Sequence, residues 1–166
     1  MSALTASMPG HDQTAMPVSG KRIMLASEGR AVSDAALARV VELARPAGAS
    51  VHVLSIARVH GVAFGLPNPG LLPTKREWDE QRESVRKAVA RLRRKGISAE
   101  GHVLGTRNAT KRIVEEAARQ GCCAIVMAAD PDRNRLLANA MWSQEPQRVR
   151  RRARIPVFLV QEPPGT

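Results

Sequence analysis

The chain has 166 residues, of which 43% are hydrophobic, 25% charged and only 2% aromatic. Such a chain suits one soluble globular domain, is short for two, and must build its core from Val, Ile, Leu and Ala rather than from rings. Lys and Arg number 26 against 15 Asp and Glu, a formal net charge of +11, which favours anionic partners such as nucleic acid, acidic lipid or phosphorylated metabolites without saying anything about fold.

In chain order, residues 1–20 lack both the basic start and the apolar centre of a signal peptide and read as a flexible tail. No later stretch reaches the length of a membrane span, so a cytoplasmic protein without membrane contact is expected. Ile23 to Ala26 form a short apolar run, the first strand. A helix follows with Leu37, Val40, Val41 and Ala44 on one face, Ser33 as its N-cap, and Pro46 and Gly48 closing it. The β-branched run from Ser50 is the second strand. Between His60 and Pro73 the prolines and glycines predict a mobile loop without regular structure.

Thr74 and Glu77 have the spacing of a capping box and open a long helix with Trp78, Val85, Val89 and Leu92 on its inward stripe. Residues 98–105 form the third strand, and a third helix runs from Asn108 to just before Gly121. Residues 122–129 form the fourth strand, Ser143 is a candidate cap for a fourth helix, and residues 155–161 form the fifth strand. This alternation predicts an α/β fold: a doubly wound, five-stranded parallel sheet sandwiched by helices, with a core domain at 21–161 and a short tail at 162–166. In such a sheet the ligand crevice lies beyond the C-terminal strand ends, where strand order reverses. If the first and fourth strands are central neighbours, the crevice is bordered by residues 26–30 and 128–134.

Several stretches carry a family resemblance. Residues 21–29, "KRIMLASEG", resemble the opening strand and turn of universal stress proteins; residues 102–130 resemble their third strand, third helix and fourth strand, with Gly105 before the helix; and residues 153–160, "ARIPVFLV", are similar to their final strand. The resemblance covers about Lys21 to Gln161. It implies a flavodoxin-like layout, a stress-response role, and in ATP-binding members a Gly-x2-Gly-x9-Gly-Ser/Thr loop after the fourth strand. Here Ala128 and Pro131 stand at the first two glycine positions, Ser143 at the small residue before the last helix, and the spacing is longer. A side chain at 128 narrows the approach to a phosphate, and Pro131 lacks an N–H. After the first strand, Glu28 stands where the family has the Asp that faces the ribose, Gly29 is kept, and Arg30 replaces the usual serine.

Each residue also has a plainer reading. Glu28 reads first as a solvated turn carboxylate and second as a ribose acid. Arg133 and Arg135 could pair with phosphates in place of the lost amides, but arginines in a polar loop are more often solvated. Arg148, Arg150, Arg151, Arg152 and Arg154 make a basic cluster that suits a solvated helix face, with weak non-specific nucleic-acid binding as the functional alternative. Trp78 and Trp142 read as packing residues. Adjacent Cys122 and Cys123 point to opposite faces of a strand, so they read as an inert strand start in a reduced protein. His11, His52, His60 and His102 are scattered, so no metal site is expected. Ser27, Ser55 and Ser143 lie in no nucleophile elbow, so no catalysis is assigned.

The sequence thus points to a non-enzymatic stress or regulatory protein of this family without tight ATP binding. An adenine-nucleotide sensor using Glu28, Ala128, Arg133 and Ser143 is the alternative, and a basic nucleic-acid-associated protein is a third. A homodimer is expected through the C-terminal edge strand, Pro156 to Gln161.

Overall fold

The computed structural model describes residues 21–58, 62–63, 66–67, 73–130 and 144–161. In chain order the elements are β1 (Arg22–Ser27), α1 (Asp34–Ala47), β2 (Ser50–Arg58), β3 (Val62–Ala63), β4 (Leu66–Pro67), α2 (Lys75–Arg94), β5 (Ala99–Thr106), α3 (Ala109–Arg119), β6 (Cys122–Ala129), α4 (Glu145–Arg152) and β7 (Val157–Gln161). Five strands form one sheet in the order β5-β2-β1-β6-β7. All its pairings are parallel. The fold expected from the sequence is the fold observed.

The sheet divides the core in two. On one face α1 and α2 bury Leu37, Val40, Val85 and Leu92 against Ile23, Leu25, Val51 and Val53. On the other, α3 and α4 bury Ile113 and Val149 against Met24, Leu54, Ile125 and Met127. Aliphatic side chains fill both layers, as the shortage of aromatic residues requires.

Local chemistry explains the boundaries. Ser33 accepts the N–H of Ala36 at the start of α1, and Gly48, left-handed at φ 58°, ends it. Pro46 lies inside the last turn of α1 rather than beyond it. The capping box of Thr74 and Glu77 is fully formed. Asn108 caps α3 by accepting the N–H of Lys111. The N-cap of α4 is Gln144, without a side-chain bond, so the cap does not fall on Ser143. Pro in the first turn of α4 removes a donor that would otherwise need such a bond.

One expectation is overturned. Between His60 and Pro73 the chain is not wholly irregular, because β3 and β4 pair antiparallel with Val62 opposite Pro67 and Ala63 opposite Leu66. That register sets the two strands two residues apart in sequence.

Candidate functional site

The strand order reverses between β1 and β6: from β1 the chain winds through β2 to the β5 edge, then returns to β6 and β7 on the other side. The C-terminal ends of β1 and β6 therefore border the crevice where folds of this kind place a ligand. At the end of β1, Gly29 takes φ 115°, a value that side-chain-bearing residues avoid. The turn folds back on itself, so that the Ser27 hydroxyl donates to the Arg30 carbonyl. Helix α2 braces it. Gln81 Nε2 donates to the Gly29 carbonyl at 3.0 Å and Gln81 Oε1 accepts from Ser55, while the Val32 N–H donates to Ser84 Oγ at 3.1 Å.

Arg30 spans the crevice. Its Nε donates to Glu28 Oε1 at 2.7 Å. Its two terminal nitrogens donate to the two oxygens of Asp130, just past β6, at 2.8 and 3.0 Å. This is a bidentate fork, the strongest geometry available between a guanidinium and a carboxylate. Burial opposes the guanidinium charge, but the hydrogen bonds to Asp130 and the charge of Glu28 outweigh it and hold Arg30 above its ordinary pKa. Glu28 is only 2% exposed, so it is not the solvated turn carboxylate that residue chemistry first suggested. A salt link takes the place of its hydration.

The other expected site residues divide cleanly. Ala128 lies within β6, paired with Val160, and packs against the core layer of α1 and α2. Pro131, Arg133, Arg135 and Ser143 lie outside the described residues, as does Trp142. Asp130 was missed. Its signal was its place one residue beyond a strand that borders the crevice, opposite an arginine where serine is usual.

The remaining candidates take their plainer readings. The arginines at 148, 150, 151, 152 and 154 are all exposed. Near them the Glu145 carboxylate accepts the Thr110 N–H at 3.1 Å in the first turn of α3, so a carboxylate of the chain itself occupies that helix start. Trp78 packs on β5, its ring beside Gly105, with the Arg82 guanidinium 5.6 Å from the ring centre. Burial pushes the Cys122 thiol up to about 11, and Cys123 is also raised, chiefly by burial. Neither has the lowered pKa of a reactive thiol.

A doubly wound parallel sheet with a polar crevice at its switch point defines a nucleotide-binding type of α/β fold. The particular family follows from comparison: the model of the Universal stress protein family matches residues 20–161, and the chain belongs to that family. No curated protein matches the chain. Among solved structures it is similar to a universal stress protein from Archaeoglobus fulgidus, at 21% identity and a TM-score of 0.64, over 86% of this chain and 94% of that one. A universal stress family protein from Burkholderia pseudomallei gives 21% identity and a TM-score of 0.63, over 84% and 95%. The Archaeoglobus fulgidus universal stress protein in complex with dAMP gives 26% identity and a TM-score of 0.59, over 84% and 97%.

Proposed function

We propose that the chain is a non-enzymatic regulatory member of the universal stress protein family, whose switch-point crevice is held closed by its own Arg30 and not by a nucleotide. The observation that carries this reading is the Arg30 bridge between Glu28 and Asp130. Two carboxylates hold one guanidinium there, so Arg30 is already engaged on both sides of the crevice. A phosphate that recruited Arg30 would have to break its fork with Asp130. Ala128 and Pro131 at the family's glycine positions point the same way, since both reduce the close backbone approach that such a loop needs.

On this reading the protein works through contacts with other proteins in the cytoplasm, as a dimer formed through β7. Among the described residues no helix is long and apolar enough to cross a membrane. The second reading, a nucleotide-binding sensor, is favoured by the dAMP complex of a structural neighbour. Nucleotide extracted from freshly purified protein separates the two. The proposal expects no stoichiometric adenine nucleotide by mass spectrometry, and a nucleotide bound near one per chain would promote the sensor reading.

A further inference from the structure

Away from the crevice, towards the N-terminal ends of the strands, the fold gathers three side chains that are far apart in sequence. His52 lies on β2, and His102 lies on β5 in register with Leu54. Both therefore emerge on the face that α3 covers, two residues apart along neighbouring strands. Glu116, on α3, faces them and is 2% exposed. One donor atom from each of the three lies within 4.8 Å of the others. We propose that His52, His102 and Glu116 form a binding site for a divalent transition-metal ion of the zinc class.

The geometry of His52 points to a ligand. This imidazole is 3% exposed, yet neither ring nitrogen has a hydrogen-bond partner among the described residues. Leaving a polar group so buried and unbonded is costly, and native structures rarely do it without a functional reason. Glu100 Oε1 stands 3.5 Å from His52 Nδ1, and His102 Nε2 stands 3.4 Å from Glu116 Oε1. Both are long for hydrogen bonds between charged groups. The His102–Glu116 spacing suits ligand atoms sharing an ion, since zinc bonds of about 2.0–2.1 Å place neighbouring donors about 3.3 Å apart around a tetrahedron. The His52 and His102 rings meet edge to face at 4.9 Å between centres, and small ring rotations would converge their nitrogens.

The supporting groups fit the same role. Arg119 holds Glu116 Oε2 at 2.5 Å, and Gln120 Nε2 donates to Oε1 at 2.9 Å, so the carboxylate is oriented as metal-bound carboxylates are. Glu100, itself paired with Arg22 at 3.1 Å, is largely exposed. It stands outside the three-residue cluster, whose fourth position falls to water, and the 33% exposed side chain of His102 opens the cluster to solvent. An ion there would clamp β2, β5 and α3 together at the edge of the sheet.

The test uses the full chain without an affinity tag, stripped with a chelator and titrated with Co2+ as a spectroscopic probe, then with Zn2+ as competitor. The proposal expects one Co2+ per chain, intense visible bands of tetrahedral type, and displacement by Zn2+. His102→Ala and Glu116→Gln should each weaken binding at least about 100-fold, the upper end of what loss of a mere supporting residue costs. A His11→Ala/His60→Ala variant, which removes the other two histidines of the sequence, should bind as the parent does. Circular dichroism accompanies every variant. If Glu116→Gln does not fold, His102→Ala decides, because that side chain is 33% exposed. No saturable binding by the parent chain, undiminished binding by folded His102→Ala, or loss of binding in the His11/His60 variant would each overturn the site.

Discussion

At the residue scale, Arg30 links two loops a hundred positions apart in sequence. Its fork to Asp130 and its bond to Glu28 join the turn after β1 to the end of β6. Replacing it by Ala should destabilise the protein by about 1–3 kcal/mol, the range for hydrogen bonds to charged groups, because the guanidinium is still partly open to solvent. Arg30→Lys should recover little of that loss, since an ammonium is a point charge without the planar fork. Urea unfolding of the three proteins measures both differences. A lysine variant as stable as the parent would mean that charge alone matters and that the fork does not. Much at this scale was hidden in the sequence. Glu28 could be singled out from its place after a strand, but its burial depends on Arg30 and Asp130, and no local pattern reports a partner a hundred residues away. His52 and His102 looked scattered for the same reason. The available hint was that both open the same tripeptide, His-Val-Leu, in strands that turn out to be neighbours.

At the element scale, the packing of α2 on β5 rests on two glycines. A Cβ added to Gly101 would sit 2.6 Å from the Val53 carbonyl oxygen and 2.7 Å from Val85 Cγ1. One added to Gly105 would meet the Trp78 ring at 2.9 Å. The absence of side chains at these positions lets α2 lie close to the sheet edge and bring Gln81 and Ser84 to the turn after β1. Gly101→Ala should therefore cost about 1–3 kcal/mol through overpacking, because backbone as well as side chain must move. Thermal unfolding is the measure. An unchanged midpoint would show that the helix can shift without loss. The elements themselves were legible, because each rests on short-range signals: the Ser33, Thr74 and Asn108 caps, the helical apolar stripes and the β-branched strands all stand where the sequence puts them. The α4 start and the β3–β4 pair were misjudged where proline spoke in two senses, once as a helix-starting residue and once as a breaker.

At the scale of the whole molecule, β7 forms one edge of the sheet. Phe158 packs into the layer of α1 and α2, and Val160 lies against it. The backbone groups on the outer side of β7 have no strand beside them among the described residues, a template for pairing with another chain. A two-fold dimer through this edge would use the same patch twice, so one unfavourable residue counts twice. The parent should scatter light as a dimer, and Val160→Lys should give a folded monomer with unchanged circular dichroism. A parent chain that stays monomeric at high concentration would defeat the dimer.

The central claim is that Arg30 holds the switch-point crevice closed against a nucleotide, and calorimetric titration of the parent chain with ATP and magnesium tests it most directly. The account predicts affinity no better than about millimolar, worth roughly 4 kcal/mol. Saturable binding in the micromolar range would contradict it, since the Arg30 bridge would then yield to a nucleotide at small cost.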